Sequence, residues 1–139
     1  MTEAPQDFLG RVVLVTGAAR GLGCAAAARF LERGASVAVN VRDAERAQAV
    51  VEELGGRSFA VPGDISAPGV PEDIVARTRD RFGRIDVLIN NAALPLTTRF
   101  EQITADEWRR AVEVNLPGIG AMRIERNRAA FLLRHVSHR

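Results

Sequence analysis

The chain has 139 residues, of which 47% are hydrophobic and 26% charged, and its formal net charge is +2. This length and balance are typical of one globular domain with a sizeable core. The composition excludes an intramolecular disulfide, because Cys24 is the only cysteine, and no apolar run approaches the ~20 residues of a membrane-spanning helix.

The first predicted element is a strand that runs directly into a glycine-rich turn. Val12–Val15 is apolar and mostly β-branched, which predicts a buried strand over residues 11–16. The turn reads Thr16-Gly17-Ala18-Ala19-Arg20-Gly21-Leu22-Gly23, and a helical run follows, with Cys24 as a small packing residue. A dinucleotide-binding loop requires a strand, a glycine turn and a helix in this order. The alternative is an ordinary strand-to-helix turn.

The glycines have a physical reason to stand there. A diphosphate can approach backbone N–H groups closely only where no Cβ intervenes, and a helix N-terminus adds about half a positive charge. We expect Gly17 to make the tight turn, Gly21 to admit the phosphates, and Gly23 to let the helix pack on the strand.

The later segments continue the alternation of strands and helices. We predict strands at residues 36–41, 58–62 and 85–90, and helices at residues 21–33, 43–54, 71–82 and from 104 onward. This alternation favours an α/β fold, a parallel sheet with helices on both faces. The expected strand order is 3-2-1-4 with right-handed crossovers, little more than the first half of a doubly wound domain.

The helix near residue 104 has a sequence signature at its start. Thr104 and Glu107 form a capping box, in which each side chain satisfies the backbone N–H of the other residue. The apolar residues that follow at helical spacing are predicted to face the core: Trp108, Val112, Leu116 and Ile119.

The glycine pattern, together with Asn90-Asn91-Ala92-Ala93 after the fourth strand, resembles the short-chain dehydrogenase/reductase family. The resemblance runs from about Gly10 to Gly118. It implies a Rossmann-type doubly wound sheet, here incomplete at about four strands, that binds NAD(P). Ala93 departs from the family, which has glycine there, and two alternatives stay open: its Cβ crowds the cofactor, or it is tolerated.

The resemblance also assigns coenzyme contacts. It implies that Asp64 accepts a hydrogen bond from the adenine amino group and that Ile65 packs on the adenine ring. The alternative for Asp64 is a turn aspartate that caps the following segment. Asn90 is expected at the nucleotide-side ribose, whereas Asn91 ties strands together. The implied cofactor-binding residues are Gly17, Ala19, Arg20, Gly21, Leu22, Gly23, Arg42, Asp64, Ile65, Asn90 and Ala92.

The coenzyme preference is predicted from the end of the second strand. Val41 occupies the position that normally carries an acidic residue, whose carboxylate binds the ribose hydroxyls. The valine side chain cannot accept a hydrogen bond. Arg42 and Arg20 would instead suit a 2′-phosphate, so we expect NADP rather than NAD. Two alternatives stay open: Arg42 pairs with Glu45 in solvent, or Asp43 reaches the ribose.

The family's catalytic residues are only partly represented. Asn115 matches the asparagine that holds a water in the family's proton path, and Pro117 is expected to bend the helix nearby. The family delivers its proton from a tyrosine tuned by a lysine, but this sequence contains neither residue type. Ser137, His135 and His138 are poor substitutes.

Charge and composition change near the end of the sequence. Residues 1–120 carry 14 arginines and 16 acidic residues, whereas residues 121–139 carry five arginines and one glutamate. We expect a single domain over residues 1–139, with a leader at 1–9 and a divergent basic tail at 121–139. A truncation or frameshift would explain both the tail and the absent catalytic residues.

Three functions follow from these patterns. The first is an NADP(H)-dependent oxidoreductase of the short-chain type, acting on an alcohol or carbonyl, present as its cofactor-binding half and inactive alone. The second is a non-catalytic dinucleotide-binding or interaction module. The third is a nucleic-acid binder that uses the basic tail. We expect a cytoplasmic protein without a metal or a membrane partner, and self-association through the exposed sheet edge at Val87–Ile89.

Overall fold

The computed structural model describes residues 5–115, and these form a sheet flanked by helices. All strand pairs are parallel, in the order β3-β2-β1-β4. The predicted α/β class, strand order and helical layers are therefore confirmed. The elements are β1 (Val12–Thr16), α1 (Gly21–Glu32), β2 (Ser36–Asn40), α2 (Ala44–Leu54), β3 (Ser58–Ala60), α3 (Val70–Phe82), β4 (Val87–Ile89) and α4 (Ala105–Asn115), with a 3-10 turn at Phe100–Gln102 before α4.

The sheet separates two apolar layers, because successive side chains of a strand point to opposite faces. Val13 and Val37 pack on one face with Val50 of α2, and Cys24 of α1 adds to this layer as expected. Leu14 packs on the other face with Ile74 of α3. Every residue of β1 and β2 is buried, which explains their nearly continuous apolar sequence.

Asp86 joins the beginnings of β1 and β4. Its Oδ2 accepts a hydrogen bond from the Val12 N–H at 2.9 Å, and its own N–H donates to the Val12 carbonyl at 2.8 Å. Burial raises the pKa of Asp86, but the hydrogen bonds from Arg84, the Val12 N–H and Arg11 outweigh it and hold that pKa below its usual value. The contact fixes the register of β4, whose other end leads into the candidate site.

The N-terminal segment that we expected to be a leader is partly docked on α1. The Phe8 ring meets the Phe30 ring edge to face, with centroids 4.8 Å apart, and Asp7 pairs with Arg33. Gln6, Asp7 and Phe8 therefore contact the folded unit. No helix within residues 5–115 is both long and apolar enough to cross a bilayer.

The start of α4 agrees with the prediction, but the face it buries does not. Glu107 N–H donates to Thr104 Oγ1 at 3.2 Å, and Thr104 N–H donates to Glu107 Oε2 at 2.8 Å. The expectation that Trp108 faces the core was wrong, since this residue is 57% exposed and Ala111 is buried instead. The periodic pattern assigns the buried face from large apolar side chains. A helix that packs close to a neighbouring surface instead needs a small side chain at the contact, here Ala111. Leu116, Ile119 and Pro117 lie outside the described residues.

Candidate functional site

A groove of about 650 Å³ lies at the carboxyl ends of the strands. It is bounded by the glycine-rich turn, the segments that follow β2, β3 and β4, and one face of α4. Ten residues predicted from the sequence line it: Gly17, Ala19, Arg20, Gly21, Leu22, Arg42, Asp64, Ile65, Ala92 and Asn115. Gly23 and Asn90 are not among its lining residues. The fold therefore brings most of the predicted site together.

Two glycines shape the groove in different ways. Gly17 has φ +65°, and a Cβ on it would lie 2.6 Å from Ala92 Cα, so only glycine lets the turn meet the segment after β4. Gly21 has φ +58°, and a Cβ there would meet nothing within 4 Å. Gly21 thus leaves open space at the start of α1.

Gly23 does not line the groove but is needed for packing behind it. A Cβ on Gly23 would collide with the Asn91 side chain and the Gly17 carbonyl.

No acidic side chain in the first turn of α1 offsets the positive end of the helix dipole. Its N-cap residue, Arg20, makes no side-chain capping bond, and the first turn contains no acidic residue. The first N–H groups of a helix lack partners within the helix and carry its positive end. Because Arg20, Gly21 and Leu22 line the groove, this uncapped end is suited to an anion such as a diphosphate.

Thr16 connects the two segments that form the centre of the groove. Its buried Oγ1 accepts hydrogen bonds from Asn91 N–H at 3.1 Å and Ala92 N–H at 3.0 Å, and it donates to the Ile89 carbonyl at 3.3 Å. Asn91 Nδ2 in turn donates to the carbonyls of Thr16 and Gly17 at 3.2 and 3.0 Å. The expected role of Asn91 is confirmed. The role of Thr16 was missed, although a hydroxyl inside an apolar strand was a signal for it.

Asn90 has a different environment from the one expected. The residue is 6% exposed, and its Oδ1 is buried without a hydrogen-bond partner within residues 5–115. A buried amide oxygen without a partner is costly. A contact between Asn90 and a ribose stays a prediction.

Asp64 lines the groove and also stabilises its own turn. Its Oδ1 accepts hydrogen bonds from Ser66 Oγ at 2.6 Å and from Ser66 N–H at 2.9 Å. The Ser66 hydroxyl contributes most to holding the pKa of Asp64 below its usual value, and Arg110 and Arg42 add to it by charge, against partial burial. Asp64 is therefore ionised at neutral pH and accepts hydrogen bonds only.

Asn40 positions the segment that carries Asp64, and the sequence analysis missed it. Its Nδ2 donates to the carbonyls of Val61 and Gly63 at 2.9 and 3.1 Å. Its backbone carbonyl accepts a hydrogen bond from Ala18 N–H at 3.1 Å. One residue at the end of β2 thus holds both the glycine-rich turn and the segment after β3.

The face of α4 that borders the groove consists of Arg110, Val114 and Asn115. Arg110 and Val114 were missed, although the spacing of four residues between them puts both on one face of a helix. Asn115 exchanges two hydrogen bonds with the backbone of Leu94, in the segment after β4. Its side chain therefore holds the wall of the groove.

Comparison with known proteins identifies the family. The family model for short chain dehydrogenases matches residues 11–126. The chain belongs to this family. It is 40% identical over 111 residues to the (2S)-[(R)-hydroxy(phenyl)methyl]succinyl-CoA dehydrogenase subunit BbsD of Thauera aromatica, an alignment that covers 78% of this chain and 45% of that protein. It is 39% identical to an L-rhamnose 1-dehydrogenase (NAD(P)(+)) of Sphingomonas, with 78% and 44% covered.

A solved structure of the family agrees with the fold. The 3-ketoacyl-(acyl-carrier-protein) reductase from Brucella melitensis, complexed with NADH, superimposes with a TM-score of 0.79 at 35% identity. The match covers 84% of this chain and 48% of that one. The chain thus spans about half the length of the relatives it matches. The predicted family, a group of NAD(P)-binding oxidoreductases, is confirmed.

Proposed function

We propose that this short-chain dehydrogenase chain is the coenzyme-binding part of an NADP(H)-dependent oxidoreductase that acts on an alcohol or carbonyl. One observation carries the proposal: the uncapped N-terminus of α1 opens into a groove beside Arg20 and Arg42. A diphosphate would bind at the helix N-terminus, and a 2′-phosphate would bind the two guanidinium groups. When bound, the nicotinamide would supply or accept the hydride.

The residues along the groove fit the parts of the coenzyme. In the proposed binding mode, Asp64 and Ile65 take the adenine, and the open space at Gly21 takes the diphosphate. The ionised Asp64 suits a donor such as the adenine amino group. The nicotinamide end would lie toward Ala93 and Asn115.

The preference for NADP rests on Arg42 and on what surrounds it. Val41 lines the groove where an acidic residue would bind ribose hydroxyls. Asp43, the neighbouring carboxylate, accepts a hydrogen bond from Arg46 N–H at 2.8 Å and caps α2, which disfavours its use on the ribose. Within the described residues, the ion pairs that the structure shows include Arg46 with Glu53 on α2 but none between Arg42 and Glu45. These observations favour a guanidinium that is available to a phosphate.

Turnover requires more than this chain carries. Hydride transfer to a carbonyl needs a proton delivered to its oxygen, and the 139 residues contain no tyrosine and no lysine for that purpose. We therefore propose that this chain binds coenzyme without turning it over alone. The same observation supports the second candidate, a dinucleotide-binding module without catalysis. The basic residues 121–139, on which nucleic-acid binding would depend, lie outside the described residues. A cytoplasmic location stays a prediction.

Calorimetric titration of NADPH and NADH into the purified chain tests the proposal. A charge-assisted hydrogen bond contributes about 1.5–3 kcal/mol, so Arg42→Ala is expected to raise the Kd for NADPH at least about tenfold and to leave the Kd for NADH within about twofold. Arg29→Ala is the matched control, because Arg29 is exposed on α1 and does not line the groove. Absence of binding by either coenzyme, in a protein with a cooperative thermal transition, would refute the proposal. Oxidation of any alcohol with NADP by the purified chain would refute the proposal that the chain is inactive alone.

A further inference from the structure

A guanidinium from α2 contacts the glycine-rich turn from outside the groove. Arg46 Nη2 donates a hydrogen bond to the Ala19 carbonyl at 2.8 Å, across 27 positions of sequence. Arg46 is not among the groove-lining residues, whereas Ala19 and Arg20 are. The backbone of Arg46 is itself anchored, because its N–H donates to Asp43 Oδ1 at 2.8 Å.

The contact holds a part of the turn that other contacts leave unsupported. The first part is fixed twice, by Asn91 Nδ2 on the Gly17 carbonyl at 3.0 Å and by the Ala18 N–H on the Asn40 carbonyl at 3.1 Å. Arg46 acts further along the turn, on the carbonyl of Ala19. The turn is therefore held at three successive residues, by contacts from the segment after β4, from β2 and from α2.

Because the peptide group is planar, the contact with the Ala19 carbonyl also fixes the direction of the Arg20 N–H. In a trans peptide group the carbonyl of one residue and the N–H of the next point in opposite directions. Directing the Ala19 carbonyl toward α2 therefore directs the Arg20 N–H away from α2. No protein acceptor for the Arg20 N–H is found within residues 5–115.

We infer that Arg46 is a positioning residue for the coenzyme: it fixes the Ala19–Arg20 peptide so that its N–H is presented to the diphosphate. This inference rests on the proposed function, and it predicts a specific pattern of affinities. NADPH and NADH share the diphosphate, so both depend on the orientation of this peptide. Adenosine 2′-monophosphate has no diphosphate and does not.

Arg46→Met is the test variant, since methionine keeps an unbranched stem and a high helix propensity but removes the donors. Its Kd is expected to rise about fivefold to tenfold for both NADPH and NADH, less than the loss of a whole hydrogen bond to a charged group, because the Arg20 N–H remains and only its orientation is released. The Kd for adenosine 2′-monophosphate is expected to stay within about twofold. Arg46→Lys, which retains a cationic donor, should recover most of the loss.

Two controls separate this role from simpler ones. Arg29→Met removes the same charge from an exposed position outside the groove and should leave all three affinities unchanged. Glu53→Gln removes the partner that lies 3.6 Å from Arg46 Nη1 but keeps the bond to Ala19, and it should also have no effect. In the ligand-free chain, Arg46→Met should lower the NMR order parameters of the Ala19 and Arg20 amides without a change in Tm.

Each remaining outcome overturns the inference. A loss confined to NADPH and adenosine 2′-monophosphate would mean that Arg46 binds the 2′-phosphate itself. Equal affinities and equal order parameters in Arg46→Met and the wild type would remove the positioning role and leave the proposed function intact. If the wild-type chain binds neither coenzyme, the proposed function fails and this inference fails with it.

Discussion

Asn115 Oδ1 accepts a hydrogen bond from the Leu94 N–H at 2.9 Å, and Asn115 Nδ2 donates one to the Leu94 carbonyl at 3.1 Å. This two-way contact joins the described end of α4 to the segment after β4. Both residues line the groove. The amide of asparagine matches the contact, because it presents one acceptor and one donor to the same backbone residue.

Asn115→Asp is expected to weaken this contact, since a carboxylate still accepts from the Leu94 N–H but repels its carbonyl. The free energy of unfolding should fall by about 1–2 kcal/mol, the range for a part-buried hydrogen bond replaced by an unfavourable contact. Urea denaturation followed by circular dichroism measures the change. Glu113→Gln, an exposed substitution on the same helix, serves as the control. Equal stability of Asn115→Asp and the wild type would contradict the structural role.

Thr16→Val is expected to destabilise the protein although it hardly changes the volume of the side chain. It removes the acceptor of the Asn91 and Ala92 N–H groups in a fully buried position. A buried donor left without a partner costs about 1–3 kcal/mol. Thr16→Ser retains the hydroxyl and should lose less. Thermal unfolding of the three proteins ranks them, and a valine variant more stable than the serine variant would be inconsistent with the hydrogen bonds described.

Gly21→Ala separates affinity for the coenzyme from stability. Its Cβ would meet nothing within 4 Å, so the main cost to folding is the positive φ, about 1 kcal/mol. The methyl group would nevertheless occupy the open space proposed for the diphosphate, so NADPH binding should fall at least about tenfold. Gly83→Ala has a similar φ and an equally open surrounding, but lies outside the groove. It should lose comparable stability and no affinity, as measured by calorimetric titration.

Gly17→Ala is expected to disrupt the fold more severely than either. Its Cβ would lie 2.6 Å from the Cα of Ala92, and backbone cannot move aside as a flexible side chain can. Strain of this kind at a positive φ costs about 2 kcal/mol or more. Denaturation with urea should show a larger loss for this variant than for Gly21→Ala. The opposite ranking would show that the turn and the segment after β4 are not in contact.

Asp86 makes stability depend on acid pH. Its folded-state pKa is lowered, so its ionised form stabilises the protein above the unfolded pKa, and this contribution is lost as pH falls through the folded pKa. The wild type should therefore lose stability as the pH falls below about 4. Asp86→Asn should be less stable by about 2 kcal/mol at pH 7, because it breaks a buried network, and its profile below pH 4 should be flatter. Urea titrations between pH 2 and pH 7 compare the two slopes, and parallel slopes would argue against this assignment.

The amino-acid sequence alone determined the family, the strand order and most of the groove lining. These depend on local signals: the apolar β-branched strands, the glycines of the turn that opens α1, and the capping box at Thr104 and Glu107. Each signal acts over a few residues, so it can be interpreted without knowing what lies across the fold. The expected helix boundaries were accordingly close to those observed.

Only the tertiary structure decided which side chains join distant segments. The contacts of Thr16 with Asn91 and of Arg46 with Ala19 link residues 75 and 27 positions apart. No periodicity within one element encodes such a pair, because both partners must first be brought together by the parallel sheet. The same reason explains the exposure of Trp108: its apolar character was evident, but the face that α4 buries is set by the shape of the surface against which the helix packs.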